Sequence, residues 1–265
     1  MGWFLRLLQG VPVWLAGLIL AAIGLAVSQL CVLVVGRLVS AARRRRSNEL
    51  IALTLSVVAV IYAVPLALIA GEAWGDFTEA RAAAAREAGE VSRTALIATM
   101  LPPEQAGAVR AALTRYAVAV IEQDWPAMTR GGHPRAGGQL LDELRLELSG
   151  ATGSDATASE LLDRTMRQLD ELIAARAERI LAIDEGLIGA IWWLIGVGGT
   201  ITLLLSAAYA AEDVPIQRVL CGLLSLAIMS VVLLIVATDR PFHGVPRVPP
   251  DAMREVLETE LQPGR

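Results

Sequence analysis

The sequence predicts an all-α integral membrane protein: four transmembrane helices, with a helical extramembrane insert between helices 2 and 3. Three observations carry this expectation. The 265 residues are 55% hydrophobic and only 19% charged, above the ~45–50% apolar content of ordinary soluble domains. The excess is concentrated in Val11–Gly36, Leu50–Gly71, Gly186–Ala211 and Val219–Thr238, which contain no Asp, Glu or Arg. Each reaches the ~20 residues a helix needs to cross ~30 Å of hydrocarbon. Nowhere does a sustained alternation of β-branched residues call for strands. The chain therefore divides into helices 1 and 2 with an Arg-rich loop (1–71), the insert (72–185), helices 3 and 4 (186–238) and a tail (239–265).

The first apolar run is much longer than the 7–15 residues of a signal-peptide core and is expected to be retained. Helices 1 and 2 are joined by RLVSAARRRRSNE, with Arg37 and Arg43, Arg44, Arg45 and Arg46. The insert opens with Ala-rich Glu72–Met100, expected to continue helix 2 beyond the membrane and to end at LPPE, Leu101–Glu104. Pro103 suits the first turn of a further helix, running to about Thr129. GGHPRAGG, Gly131–Gly138, is expected as a loop, followed by a short helix Gln139–Ser149. Thr157 and Glu160 form a capping-box pattern that opens a helix running into the third membrane segment. After the short loop EDVPIQR and helix 4, the tail places Met253, Val256, Leu257 and Leu261 on one face of an amphipathic helix, suited to packing on the insert or on a neighbouring subunit.

All 23 basic residues are arginine, which suggests the coding bias of a GC-rich bacterial genome. They are too dispersed for a groove that tracks nucleic acid, and no such partner is expected. Cys31 and Cys221 lie inside apolar runs and read as packing residues; metal-binding spacings are absent. Phosphate-binding Gly loops, H-E-x-x-H and a Ser-centred elbow are also missing, so an enzyme is not expected and no cofactor is implied. The two histidines, His133 and His243, have nothing beside them to build a metal site.

Four crossings place the N-terminus, the insert and the tail on one membrane face. The five arginines of the first loop put that loop in the cytoplasm by the positive-inside rule. The insert, with 12 arginines against 19 acidic residues, is then extracytoplasmic. Parity also brings three junctions to the insert's face: Glu72 and Asp76, Asp184 and Glu185, and Asp239 with Arg240. This acidic collar is a candidate ion vestibule, since repeated carboxylates concentrate cations. The bland alternative is that these are ordinary helix-flanking charges, with Arg176, Arg179 and Arg240 available to pair with them.

The stretch VATDRPFHGVP then reads as a stop and a latch. Asp239-Arg240 ends helix 4, Pro241 prevents its continuation, Phe242 can turn inward, and Gly244 permits a tight turn. In the insert, IEQDWPAM, with Glu122, Asp124 and Trp125, is the expected packing hub or contact point. Small residues recur at Gly17, Ala21, Gly24, Ser28 and Cys31 and again at Ala52, Ser56, Ala59 and Ala63. Such stripes serve packing within a bundle, or line a subunit interface or narrow pore. Tyr62 offers a hydroxyl one turn before Pro65, and no charge lies within the hydrocarbon spans, which argues against a proton-coupled carrier.

DRPFHG followed by RVPPDAM resembles the C-terminal signature of a bacterial membrane family called bestrophin-like. SNELIALTLSVVAVIYAVPLA, WGDFTEARAAAAREA, LPPE, RYAVAVIEQDWPAM and LDELIAARAERI match in family order, from about Arg43 to Met253. GGHPRAGG, where a more Ser-rich loop is expected, and Trp192-Trp193 depart from the pattern. The resemblance implies oligomeric anion channels of four membrane helices with a helical domain between the second and third. That domain is cytosolic in true bestrophins, in conflict with the arginine asymmetry here. The sequence thus points to a homo-oligomeric pore in a bacterial cell (inner) membrane, in contact with the lipid bilayer and ions, the acidic collar favouring cations. The alternative is a membrane-anchored sensor or scaffold whose insert binds a partner.

Overall fold

The computed structural model describes residues 11–151, 156–183, 187, 189–211, 213–243 and 247–262, and these are helical with no strand among them. Asp184, Glu185 and Gly244 of the expected collar and latch lie outside the described residues. The helices are α1 (Val13–Leu38), α2 (Ala41–Arg46), α3 (Asn48–Ala98), α4 (Pro103–Ala119), α5 (Trp125–Thr129), α6 (Ala136–Gly150), α7 (Ala156–Leu181), α8 (Gly189–Ala208), α9 (Val214–Thr238) and α10 (Asp251–Val256). Four of them, α1, α3, α8 and α9, are long and apolar enough to cross a membrane. The chain divides into two compact units, one of the four apolar helical segments and one of the insert with the tail, the first division falling between Gly75 and Asp76 inside α3.

Several boundaries differ from expectation for local reasons. The short loop before helix 4 is partly helical: α9 begins at Val214, because Pro215 in its first turn has no amide hydrogen that would need a partner. The Gly131–Gly138 loop ends early, α6 starting at Ala136, since the buried amide of Gly137 finds an acceptor in Asp124 Oδ1 at 3.4 Å. Thr157 does not precede a helix, because α7 already starts at Ala156; Glu160 pairs with Arg164 at 2.6 Å instead. α7 stops at Leu181 in a turn at Ala182 and Ile183 and does not run on as one helix.

In the membrane unit α1 packs along α9 and α8. Its small-residue stripe makes that approach possible, as required where lipid supplies no hydrophobic drive. Gly24 and Ser28 are buried, and a Cβ at Gly24 would lie 2.6 Å from Met229 Cγ and 2.7 Å from Ser225 Oγ. Cys31 and Cys221 pack with Val32, Leu203 and Ala207. Tyr62 lies against Gly198 and donates its hydroxyl to the Ile195 carbonyl at 3.0 Å, which satisfies the one polar group it would otherwise strand. The second stripe is different: Ala52 and Ala59 are half-buried, while Ser56 and Ala63 are exposed. Gly24→Ala is expected to cost about 1–3 kcal/mol by overpacking, whereas Gly36→Ala, with nothing within 4 Å of its Cβ, is expected to be neutral. Thermal unfolding midpoints of the two variants in the same detergent check this.

The insert unit has its own core, in which Leu113 of α4, Leu141 and Leu144 of α6, and Leu169 and Leu172 of α7 are almost wholly buried beside Val91 of α3. Each such side chain contributes ~1.5–3 kcal/mol by leaving water. α4 passes into α5 through a π-helical turn, Val120–Asp124, in which the amide of Trp125 reaches back to the Val120 carbonyl. The tail helix also ends in such a turn, Leu257–Leu261. It lies on the insert of its own chain, burying Met253, Val256 and Leu261, with Arg110 donating to the carbonyls of Glu260 (2.6 Å) and Leu261 (3.3 Å). Those carbonyls would otherwise be the orphans of a helix end.

Candidate functional site

The most unusual chemistry of the chain is a cluster of charge inside the insert. Along α3 the buried positions Ala80, Ala84, Glu87, Ala88, Val91 and Ala98 recur at helical spacing, and Glu87 is the only ionised member. Along α7 the buried series Thr165, Leu169, Leu172, Arg176 and Arg179 does the same with two arginines. Asp124 joins them from the π-helical turn, 1% exposed. Four charged groups thus meet in a buried interior, two of each sign.

Every one of them is partnered. Arg179 donates to both carboxylate oxygens of Glu87, through Nε and, at 3.0 Å, through Nη2. Its remaining Nη1 contacts Met128 Sδ at 2.7 Å, and its guanidinium lies 4.7 Å from the centroid of the Trp125 ring. Arg176 donates to Asp124 Oδ2 at 2.6 Å and to the Pro134 carbonyl at 3.3 Å. Tyr116 donates its hydroxyl to Glu87 Oε1. Gly137 leaves room for this: a Cβ there would stand 2.5 Å from Arg176 Nη1 and 2.7 Å from Asp124 Oδ2. Buried charge is tolerated only when paired and fully hydrogen-bonded, and this cluster meets that condition.

Burial, followed by the Glu87 charge, holds the Tyr116 phenol well above its usual value near 10. Burial pulls the Arg179 guanidinium down, but Glu87 outweighs it and the net direction is upward. A raised phenol favours the protonated folded state, so its contribution is complete below pH 10 and is lost as pH rises beyond it. Wild type is therefore expected to lose stability above about pH 10 more steeply than Tyr116→Phe, which has no phenol to ionise there. Unfolding midpoints of both proteins across pH 8–12 measure the difference (an order-of-magnitude window around the free phenol value).

This cluster connects directly to the tail. Trp125 is buried, not a surface contact, and donates its indole N–H to the Val248 carbonyl at 3.0 Å. Phe242 is buried edge-on to it, ring centroids 6.0 Å apart at 82°. The Val248 amide donates to the Pro241 carbonyl at 2.8 Å. His243 stands beside Gly131, the one described residue with positive φ (75°), where a Cβ would meet the imidazole at 2.9 Å. Arg240 is exposed.

The collar residues are placed one by one. Glu72 is exposed and Asp76 half-buried, one turn apart on α3. Asp239 is 6% exposed, and its Oδ1 accepts the Leu187 amide at 2.7 Å, a local hydrogen bond at the start of the chain into α8. Arg176 and Arg179, read from sequence as possible partners of the collar, are committed to Glu87 and Asp124. At the other end of the membrane unit, Arg44 donates to the Ala207 carbonyl at 3.2 Å, and Asn48 exchanges two 3.0 Å hydrogen bonds with the backbone of Ala210.

The family model described as the Bestrophin-like domain matches residues 22–253, nearly the whole chain and including the latch. The chain belongs to the Bestrophin-like family. No curated protein matches this Bestrophin-like chain in sequence. Among solved structures, it is similar in fold to the crystal structure of a bacterial bestrophin homologue from Klebsiella pneumoniae carrying a Y211A mutation. The TM-score is 0.64 at 14% identity, covering 92% of this chain and 97% of the other. At that identity the likeness shows the fold alone.

Proposed function

We propose that this Bestrophin-like chain assembles with copies of itself into an ion-conducting pore lined by α3. The carrying observation is an uncovered helix face. Val57, Ile61, Val64, Leu68 and Glu72 follow one another at three- and four-residue steps, so they share one side of α3, and all are exposed. Around a symmetry axis that face would supply an apolar constriction with a carboxylate ring, Glu72, at one mouth, a pattern that gates by dewetting and favours cations. The exposed or half-buried small residues Ala52, Ser56, Ala59 and Ala63 flank it and allow neighbouring helices to approach.

In this reading the collar of Glu72, Asp76, Asp184, Glu185 and Asp239 selects for cations, with Glu72 carrying most of the effect because Asp239 is already bound to Leu187. Arg43–Arg46 hold the first loop in the cytoplasm, and the insert and both termini face outward. Family membership and the bestrophin fold support the channel class; the cation preference rests on the carboxylates alone.

Native mass spectrometry of the protein in nanodiscs gives the stoichiometry, and reversal potentials in planar bilayers give selectivity. A ring of four or more copies passing cations, with selectivity reduced in Glu72→Gln/Asp76→Asn, is the expected outcome. A monomer or dimer without conductance overturns the pore; a conducting ring whose selectivity ignores both substitutions overturns the collar alone.

A further inference from the structure

A second, independent feature lies at the short-loop end of the membrane unit, away from Glu72 along α3. α2 sets four consecutive arginines immediately before the apolar run of α3, and the acidic residue near them in sequence is Glu49. Arg43 and Arg46 are exposed. Arg44 is fixed: its Nη1 shares the Ala207 carbonyl with Gln217 Nε2, which donates at 2.7 Å. Arg44 Nε is buried, with no acceptor among the described residues. Arg44 as a whole is half-buried, so its guanidinium lies at the edge of the helix packing beside the exposed Arg43 and Arg46.

The same Gln217 lines a cavity of about 290 Å³. Its walls are mostly apolar, with Ala52, Leu55, Leu220 and Cys221, and Tyr209 adds a phenol. Through Gln217 the cationic turn and the apolar cavity are neighbours. A free phosphate would use the arginines and leave the cavity unused; a neutral alkane would do the reverse. A molecule with an anionic head and an acyl tail uses both.

We propose that this end of the membrane unit binds one anionic phospholipid per chain, its phosphate held by Arg43, Arg44 and Arg46 and part of an acyl chain in the cavity beside Gln217. Cationic side chains at the membrane surface each strengthen binding to anionic lipid by a factor of about five. The cavity shares Ala52 with the stripe beside the proposed pore face, but lipid binding there does not require that α3 conduct.

The test is a native mass spectrometry titration of the full chain with phosphatidylglycerol and, in parallel, phosphatidylcholine. Phosphatidylglycerol is expected to bind at least tenfold more tightly. R43Q/R46Q, which keeps Arg37, Arg44 and Arg45 for membrane insertion, is expected to weaken phosphatidylglycerol about 25-fold and leave phosphatidylcholine unchanged. Ala52→Leu, which narrows the cavity and leaves every arginine in place, is expected to weaken phosphatidylglycerol about tenfold. Equal affinity for the two lipids, or an Ala52→Leu protein that binds as wild type does, overturns the proposal. Displacement of phosphatidylglycerol by millimolar inorganic phosphate also overturns it, because the arginines would then form an anion site without a tail pocket.

Discussion

Arg179→Met is expected to destabilise the insert by about 3–5 kcal/mol. The side chain is wholly buried and spans Glu87 by two hydrogen bonds. Its removal leaves Glu87 with the Tyr116 hydroxyl and with Arg176 Nη1 at 4.0 Å, already committed to Asp124. An uncompensated carboxylate in this interior is worse than no charge at all. The double variant Glu87→Leu/Arg179→Met should therefore recover most of the loss, since replacing a buried pair by apolar groups is often near neutral. Hydrogen exchange at the buried amides of Leu169 and Leu172 in the full chain reports both effects. Equal destabilisation of the single and double variants would show that Arg179 acts through volume and stacking on Trp125, not through charge.

The second large effect is expected at the latch. Phe242→Ala removes a ring that is 3% exposed and edge-on to Trp125, for a loss of about 3–5 kcal/mol. Phe242→Leu keeps most of the apolar volume and forfeits chiefly the ring–ring geometry, about 0.5–1.5 kcal/mol. Because the Trp125 indole also holds the Val248 carbonyl, the alanine variant should loosen the tail beyond it. Faster proteolysis after Val248 in Phe242→Ala than in Phe242→Leu is the readout. Unchanged protection of the tail would assign its docking to Met253, Val256 and the Arg110 clamp alone.

These two sites mark what could and could not be read without the fold. Phe242 was legible: a proline-bounded aromatic directly after a membrane helix has few places to go but inward. The charge cluster was less so. Glu87 sits among alanines and Arg176 and Arg179 among surface-like charges, so composition around them suggests solvated faces. The usable signal was position: each falls on the three-and-four-residue series of buried neighbours along its helix. What placed Asp124 against them was the π-helical turn ahead of Pro126, which adds a residue to the turn and shifts the register of the helix face.

The sequence by itself determined the membrane helices, because an uncharged run of this length has no stable alternative to crossing hydrocarbon as a helix, and hydrophobicity is a local property. It also determined the insert's helical character and the break at Leu101–Glu104. The tertiary structure decided which of two similar stripes of small residues is used inside the chain: Gly24 and Ser28 close on α9, while Ser56 and Ala63 stay uncovered. It also decided that two arginines and two acids are interior groups. Both depend on which surfaces meet, and a charge becomes stable in a low-dielectric core only once its partner arrives from a distant part of the chain.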